Sequence, residues 1–406
     1  MARTSAVLPA GSRLSDYISL GVLMRTFPLD KVRAALATTH TASRRHRDLP
    51  AHITVYYVVA LALYMQAAYQ EVLRCLLEGV RWLLPVDAAV KVCGASAISQ
   101  ARTRLGAEPL RRLHDELVGP IATEATRGAW YRGWRVVSLD GSTLDVADQE
   151  PNAEAFGRPG AGGGQSAYPQ LRFVSLLENG THVLFASQMA GCRVSENALA
   201  QTVLDQLGAG MLCLADRGFF SFSLWNRARA RKAALVWRIK KNLRLRPDQR
   251  LPDGSYLSRI YPSGADWKKQ TRGVSVRVID YRLEGVSGAE PVYRLLTTML
   301  NWEQAPAEEL ATLYSQRWEI ETAFDELKVH LRGARIVLRS KTPELVRQEF
   351  YGLLLAHFAI RNLMHEAALR ADVDSDELSF VHAVRVVRRQ IGRYGAIPPS
   401  TEGQVP

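Results

Sequence analysis

The segment from Tyr314 to Lys328 places several chemically reactive types of side chain at helical spacing. An α-helix turns by about 100° per residue, so residues three or four apart share a face. One stripe, about 80° wide by this rule, contains Tyr314, Arg317, Glu321, Phe324 and Lys328. So narrow a face carries a phenol, a guanidinium, a carboxylate and an ammonium. This combination favours contact with an anionic ligand that is bound together with a metal ion. A salt-bridged surface helix is the ordinary alternative.

The other acids of this segment are interpreted differently. Glu319 and Glu326 point away from the stripe and are predicted to be solvated charges. Asp325, one turn beyond Glu321, is the competing choice for the functional carboxylate.

Two upstream aspartates occur in a different setting, at the ends of short apolar runs. Asp140 follows a run with two β-branched valines in W-R-V-V-S-L-D-G-S-T-L-D-V, which predicts a buried strand. Asp145 and Asp148 compete with it, as turn or edge positions. Asp216 ends the run M-L-C-L-A-D-R-G-F-F-S, where capping of the following helix is the alternative role. A buried aspartate is costly unless it is paired or bound to a metal.

Three carboxylates from separate elements suit two-metal phosphoryl transfer. Two Mg²⁺ ions about 4 Å apart can clamp the attacking and leaving oxygens of an in-line displacement. Hard cations prefer oxygen ligands, so carboxylates are expected rather than Cys or His. The sequence therefore favours a site for hard divalent cations such as Mg²⁺.

These motifs together resemble a known family. The spacing Y-(2)-R-(3)-E-(6)-K, the D-G-S context of Asp140 and the D-R-G-F-F-S context of Asp216 are similar to those of DDE transposases of the insertion-sequence-four family. The resemblance extends over nearly the whole chain, including S-A-I-S-Q-A-R-T-R-L-G at positions 96–106. It implies a catalytic triad of Asp140, Asp216 and Glu321 that holds two Mg²⁺ ions, with Mn²⁺ as a substitute. It also implies that Tyr314, Arg317 and Lys328 contact the transferred DNA strand.

The same resemblance implies the reaction and the assembly. The expected activity is cleavage at transposon ends followed by attack of the 3′-hydroxyl on target DNA, by cut-and-paste. The expected partners are double-stranded DNA, in the form of terminal inverted repeats and target, and a second subunit in a paired-end complex. Family behaviour also implies a hairpin intermediate. Trp267, in the predicted insertion, is a candidate for stacking on a flipped base, although a packed tryptophan explains it equally well.

The charge of the chain agrees with a DNA partner. There are 52 Lys and Arg residues against 40 Asp and Glu, a formal charge of +12, and such an excess favours polyanions. Basic residues are dense just after Asp216, where a solvated helix face is the alternative to a DNA track. The predicted DNA contacts in this region are Arg217, Lys240, Lys241 and Arg244. Further contacts are predicted from Arg102 and Arg104, supported by Arg111 and Arg112, on two short helices around Gly106.

The predicted fold is α/β, a ribonuclease H-like mixed sheet with a β-rich insertion, preceded by an all-helical region. The predicted domains are 1–130 (helical, DNA-binding), 131–345 (catalytic, with an insertion at about 240–290) and 346–406 (helical). Strands are predicted at 135–140, 171–178, 181–189, 211–216, 234–239 and 292–299, with a helix from Ser195 to Leu207 before the Asp216 strand.

Several other classes are disfavoured. Residues Leu49 to Gln70 carry no formal charge and reach the length of a membrane span. Polar residues are interspersed, however, so a buried core helix and no membrane contact are predicted. The four cysteines lack metal-site or disulfide-framework spacing, which fits a reducing cytosol. The expected location is a bacterial cytoplasm, in association with the nucleoid. A DNA-binding repressor without cleavage activity and a ribonuclease H-like nuclease remain as alternatives.

Overall fold

The computed structural model describes residues 21–44, 49–78, 93–161, 164–165, 168–240, 243, 245–282, 290–333 and 336–390. The chain forms two compact units. Unit 1 takes the described residues within 1–119, 144–170 and 325–406, and unit 2 takes those within 120–143 and 171–324. The predicted division into 1–130, 131–345 and 346–406 stays a prediction.

Unit 1 is largely helical. Its helices are α1 (Gly21–Thr26), α2 (Leu29–Thr38), α3 (Ala51–Leu63), α4 (Tyr69–Glu78), α5 (Ala95–Leu105), α6 (Glu108–Leu117), α7 (Glu150–Phe156), α13 (Pro343–Ala371) and α14 (Phe380–Gln390). A short hairpin of β3 (Gly160–Ala161) and β4 (Gly164–Gln165) belongs to the same unit. The helical character predicted for the amino-terminal part is confirmed.

Helix α3 is the centre of this unit. Twelve of its 13 residues are buried, which explains the uncharged apolar run as a core helix. It packs along α13, and the contact is close because Gly352 has no side chain. A Cβ at that position would lie 2.9 Å from Val58 Cγ1 and 3.0 Å from the Val58 carbonyl oxygen. In the part of the chain that is described, no helix is long and apolar enough to cross a bilayer.

Unit 2 is built on a ten-stranded sheet. Nine strands follow the order β6-β5-β2-β7-β8-β12-β11-β10-β9, and β1 pairs with β2. The strands are β1 (Trp130–Tyr131), β2 (Trp134–Asp145), β5 (Gln170–Glu178), β6 (Val183–Gly191), β7 (Met211–Ala215), β8 (Ala234–Arg238), β9 (Gln249–Arg250), β10 (Tyr256–Ile260), β11 (Val274–Tyr281) and β12 (Tyr293–Thr297). Its helices are α8 (Glu196–Val203), α9 (Phe222–Ala230), α10 (Gly264–Lys269), α11 (Ala307–Ser315) and α12 (Glu319–Asp325).

The predicted ribonuclease H-like class is confirmed by this topology. The first three long strands, β2, β5 and β6, are neighbours in the sheet, with β5 and β6 antiparallel. The chain then returns through α8 to β7, which lies parallel to β2, and through α9 to β8, parallel to β7. Parallel central strands are buried on both faces, which is why β2 and β7 appear in the sequence as continuous apolar runs.

The predicted insertion extends the same sheet. Strands β9, β10 and β11 continue antiparallel beyond β12, and β9 and β10 are joined at the turn around Gly254, whose φ is +83°. The fully buried Arg277 of β11 pairs with Asp253 of this turn and donates to the Ala305 carbonyl at 2.6 Å. Asp253 also accepts from the Ala307 amide at 2.9 Å. The insertion therefore anchors the start of α11, the helix that leads to Glu321.

Candidate active site

The ends of three parallel strands bring two aspartates and an arginine into one row. Leu139 of β2 pairs with Ala215 of β7, which pairs with Trp237 of β8. The next residues along the three strands are Asp140, Asp216 and Arg238. Neighbouring strands are about 4.8 Å apart, so these residues start from adjacent backbone positions at the carboxyl edge of the central strands.

The third predicted carboxylate reaches this edge through Arg317. The Arg317 Nη1 atom donates to Asp140 Oδ2 at 2.9 Å, and its Nη2 atom donates to Glu321 Oε1 at 3.1 Å. The hydroxyl of Tyr314 lies 3.5 Å from Asp216 Oδ1 and 3.3 Å from the Ala215 carbonyl oxygen. The structure thus brings together Asp140, Asp216, Glu321, Tyr314 and Arg317, which the sequence placed in one site.

The spacing predicted one regular helix for the segment that carries these residues, but the structure shows an interrupted one. Helix α11 ends at Ser315, a 3-10 turn covers Gln316–Trp318, and α12 begins at Glu319. From Glu326 to Leu331 the chain is a π-helix. The break has a tertiary cause, because the Gln316 carbonyl accepts from Asn179 Nδ2 at 2.8 Å instead of serving the helix alone.

Glu319 and Glu326 were predicted to be solvated charges. This prediction was wrong, because both side chains bind partners within the fold. Glu319 accepts from the Gly180 amide at 2.7 Å and fixes the start of α12. Glu326 is buried and paired with Arg361 and His357. Their partners lie more than 30 residues away in sequence, so helical spacing alone could not have identified these contacts.

Phe324 has a packing role. Its ring meets the ring of Phe173 edge-on, with the centroids 5.2 Å apart, and its side chain is buried. In unit 2, the residues of the predicted stripe that contact Asp140 or Asp216 directly are Tyr314 and Arg317, and Arg317 also bonds to Glu321.

Electrostatics single out Asp140 among the three carboxylates. Burial raises the pKa of Asp140 from its ordinary value to about 6, against the opposing effects of the Gly141 amide and of Arg317. Negative charge on Glu196 and Glu321 raises this pKa further. Side-chain exposure increases from 20% for Asp140 through 32% for Asp216 to 44% for Glu321. A site with these properties favours a bound cation.

The donor set fits hard divalent cations. Three carboxylates, each partly open to solvent, offer only oxygen ligands. The ligand oxygens of Asp140, Asp216 and Glu321 do not all lie within 4.8 Å of one another, since the guanidinium of Arg317 lies between Asp140 and Glu321. This spread is too wide for one ion held by all three carboxylates in their present positions.

The competing aspartates are engaged elsewhere. Asp145 accepts from Gln170 Nε2 at 2.9 Å, and Asp148 pairs with Arg158; all four residues belong to unit 1. Asp325 is exposed at the end of α12.

Arg238 is a residue of the site that the sequence interpretation missed. Its Nη1 atom lies 3.7 Å from Asp216 Oδ1, and its Nη2 atom donates to Glu290 at 2.6 Å. The ring of Tyr293 lies under the guanidinium, 4.7 Å away. The signal was present, because Arg238 ends an apolar strand in the same way as Asp216 does.

The other DNA contacts predicted after Asp216 in the sequence have different environments. Arg217 is exposed and donates to Glu290 at 2.9 Å, and Lys240 is exposed just beyond β8. Lys328 is half-buried in the π-helix. Trp267 is half-buried, with the Arg246 guanidinium 4.6 Å from its ring. Lys241 and Arg244 lie outside the described residues. These contacts stay predictions.

One predicted DNA contact in the amino-terminal region is corrected. The two short helices around Gly106 are confirmed as α5 and α6, but Arg102 is buried with 1% exposure. Its guanidinium donates to Gln348 at 2.8 Å and to Tyr69 and Ser340 at 3.0 Å each. Arg102 therefore cannot reach DNA in this fold, since its donors hold α5 to the start of α13.

The other arginines of these helices are on the surface. Arg104 is exposed. Arg111 pairs with Glu108 and Asp115, and Arg112 pairs with Glu116, all within α6. Exposed pairs of this kind contribute little to stability, so these arginines remain accessible to an anionic partner.

Two family models match the chain. The model described as "Transposase DDE domain" matches residues 132–359, and the model described as "Insertion element 4 transposase N-terminal" matches residues 17–115. The transposase InsG of insertion sequence element IS4 from Escherichia coli strain K12 is 30% identical over 381 residues, which cover 93% of this chain and 82% of the relative. The putative transposase InsZ of the same strain is 25% identical over 198 residues, 48% of this chain and 63% of the relative.

A solved structure also resembles the chain. It is the piggyBac transposase in a synaptic complex with hairpin DNA, with a TM-score of 0.46 and 12% identity, covering 96% of this chain and 83% of that one.

Proposed function

Because the chain belongs to the insertion-element-4 family of DDE transposases, we propose that it cuts the ends of an insertion sequence and joins the freed 3′-hydroxyl to target DNA, by cut-and-paste. The observation that carries this proposal is the convergence of Asp140, Asp216 and Glu321 around Arg317 at the carboxyl edge of β2 and β7. Phosphoryl transfer to and from DNA needs carboxylates that can hold metal ions. Here the buried guanidinium of Arg317 joins two of the three carboxylates.

Each residue of the site has a proposed task. Asp140, Asp216 and Glu321 hold two Mg²⁺ ions, for which Mn²⁺ can substitute. These ions, when bound, supply Lewis-acid stabilisation of the attacking and leaving oxygens of the phosphodiester. Arg317 orients Asp140 and Glu321 by bonding to both carboxylates. Tyr314 limits the movement of Asp216, to which its hydroxyl is close.

DNA is held by cationic side chains contributed by each of the two units. Arg317 and Lys328 are proposed to meet phosphates of the transferred strand, in agreement with their places in the Y-R-E-K spacing. Arg217 and Lys240 continue the positive surface past Asp216, together with Lys241 and Arg244. Arginine suits a phosphate through its planar fork of donors, and lysine through its compact charge.

The assembly and its setting are further parts of the proposal. Two copies of the chain hold two transposon ends in a paired complex, and Trp267 stacks on a base flipped out during a hairpin step. The reaction takes place on the nucleoid DNA of a bacterial cytoplasm. The net charge of +12 supports association with such a polyanion.

The triad is tested by single isosteric substitutions. Asp140→Asn, Asp216→Asn and Glu321→Gln are each expected to lower cleavage of the element's own terminal DNA by about 10³-fold, since loss of a metal ligand removes several kcal/mol of transition-state stabilisation. Binding to the same DNA, measured by electrophoretic mobility shift, is expected to stay within a few-fold of the unmodified protein. Asp148→Asn is the matched control, because its carboxylate pairs with Arg158.

The outcome also separates the alternatives. Equal loss of binding and cleavage in all three variants would mean that the carboxylates serve the fold. If the unmodified protein binds terminal DNA but never cleaves it, it is a repressor. If it cleaves DNA of any sequence with equal rate, it is a nuclease.

A further inference from the structure

The segment Glu326–Leu331 adopts an uncommon conformation, a π-helix, within unit 1. Hydrogen bonds of a π-helix join residues five apart, and such turns are rare and occur frequently at functional sites. Here the Arg332 amide donates to the Leu327 carbonyl at 3.1 Å, which is a bond of this span. The turn carries Lys328, one of the proposed phosphate contacts. An ordinary α-helical turn is the common alternative, so contacts with the rest of unit 1 must favour the π form.

The first of these contacts is made by the side chain of Glu326. Its buried carboxylate meets two residues of α13 that are one turn apart, His357 and Arg361. Arg361 Nε donates to Glu326 Oε2 at 2.8 Å and Arg361 Nη2 donates to Oε1, while His357 Nε2 lies 3.1 Å from Oε2. The ring of Phe380 lies over this group, with its centroid 5.3 Å from that of His357 and 5.6 Å from Arg361 Cζ. A carboxylate bonded by the planar fork of an arginine is fixed in orientation as well as in position.

The second contact follows Lys328 in the chain. The buried side chain of Arg332 donates through its Nε atom to the Lys328 carbonyl at 3.2 Å. Leu327 and Leu331 are buried as well, whereas Lys328 is half-buried and Val329 is exposed. The backbone of Lys328 is therefore held from both sides, and its side chain still reaches the surface of unit 1.

We propose that Glu326 is a positioning residue for Lys328: its buried ion pair with Arg361 holds the π-helical turn from which Lys328 reaches a phosphate of the DNA. The inference rests on the proposed function, because it needs Lys328 to contact DNA. Loss of the pair allows the turn to relax towards the α form, in which fewer residues make up each turn, so that Lys328 points in another direction. The competing role is purely structural, in which Glu326 only neutralises a buried arginine.

The salt dependence of DNA binding distinguishes the two roles. The full chain is titrated with a duplex of the element's terminal sequence at several salt concentrations. Lys328→Ala is expected to lower the log–log salt slope by about one, since one phosphate contact is lost. Glu326→Gln is expected to lower the slope by the same amount and to weaken binding, although removal of a negative charge by itself favours DNA. The double variant is expected to match the single ones, because the same contact is lost only once.

Glu349→Gln is the matched control, because Glu349 is another buried acid of unit 1. Its carboxylate accepts from the Ser340 amide at 3.1 Å and from the Ser340 hydroxyl at 2.6 Å. We expect this variant to lower the thermal unfolding temperature, as Glu326→Gln does, but to leave the salt slope unchanged. Each slope is measured below the unfolding transition of its variant, so that only folded protein is compared.

Arg361→Lys decides the question if Glu326→Gln does not fold. It keeps a cation beside Glu326 but loses the planar fork that fixes the carboxylate. A lower salt slope together with a cooperative unfolding transition is therefore expected.

An unchanged slope in Glu326→Gln, or in Arg361→Lys where it replaces that variant, would overturn the inference. If Lys328→Ala lowers the slope in the same experiment, the proposed function still stands. An equal loss of slope in Glu349→Gln would also overturn the inference, since general destabilisation would then explain the effect. If Lys328→Ala itself keeps the full slope, the proposed contact of Lys328 with DNA fails together with the inference.

Discussion

At the scale of residues, the site depends on one buried cation between two carboxylates. Arg317 is 6% exposed and bonds to Asp140 and Glu321 with different nitrogens. A lysine could not span both acids, since it offers one point charge in place of a planar fork. Asp140 remains difficult to ionise even so, because the effect of burial on its pKa exceeds that of the arginine.

The raised pKa of Asp140 predicts how metal binding depends on pH. A proton competes with a divalent cation for this carboxylate, and the proton is held below about pH 6. Mn²⁺ affinity is therefore expected to be constant above about pH 7 and to fall by roughly 10-fold per unit as the pH drops below 6. An Asp with an ordinary pKa would keep its affinity down to about pH 4. Titrations from pH 4.5 to 8 measure this, and a flat profile down to pH 4.5 would contradict the assignment of Asp140 as a ligand.

At the scale of elements, helix α5 carries two arginines that are two positions apart and have opposite environments, one buried and one exposed. Arg102 and Arg104 both lie in the last turn of α5. Arg102 faces inward, where it joins α5 to Gln348 of α13, and Gln348 in turn donates to the Arg102 and Gly106 carbonyls at 2.9 and 2.7 Å. Arg104 faces outward. Arg102 holds helices together, whereas Arg104 is at the surface.

This contrast gives a paired prediction. Arg102→Ala is expected to lower the free energy of unfolding by about 2–4 kcal/mol, because buried polar partners lose their donors. Arg104→Ala is expected to change stability by less than about 0.5 kcal/mol and to reduce the log–log salt slope of DNA binding by about one. Chemical denaturation and binding assays at several salt concentrations provide the two measurements. Reversal of the two effects would show that α5 faces the other way.

At the scale of the whole molecule, the compact units do not follow the order of the chain. Unit 1 combines the amino-terminal helices with α13 and α14 from the other end of the sequence. The buried face of α3 is completed by α13, where Gly352 allows close contact with Val58. A core assembled from both ends of a chain makes folding depend on contacts of high sequence separation.

This arrangement predicts that residues 1–130 do not fold alone, although the sequence predicted them to be a DNA-binding domain. Without the carboxyl-terminal helices, the fragment would expose the apolar surface of α3 and remove Gln348 and Ser340, two of the acceptors of Arg102. We expect a low helical content or aggregation of fragment 1–130 in circular dichroism and sedimentation experiments, and a cooperative thermal transition in the full chain. A soluble fragment with its own cooperative transition would instead establish 1–130 as an autonomous domain.

The sequence by itself determined the main elements of the sheet and pointed to three carboxylates that the structure brings to one edge of it. The strands and the helix before Asp216 begin and end within a few residues of their predicted positions, because apolar runs bounded by polar or turn residues are local signals. Asp140 and Asp216 could be identified because each ends such a run. The Y-R-E-K spacing then added Glu321, together with Arg317, its partner one turn away.

Only the tertiary structure decided which charged residues are buried and what they contact. Glu319, Glu326 and Arg102 were assigned to the surface because charged residues usually lie there; their partners come from distant segments and are invisible to periodicity. Arg238 was missed although it ends an apolar strand, because only the register of β8 against β7 places it next to Asp216. A charge is buried where the fold supplies its partner, and that partner is fixed only when separate elements pack together.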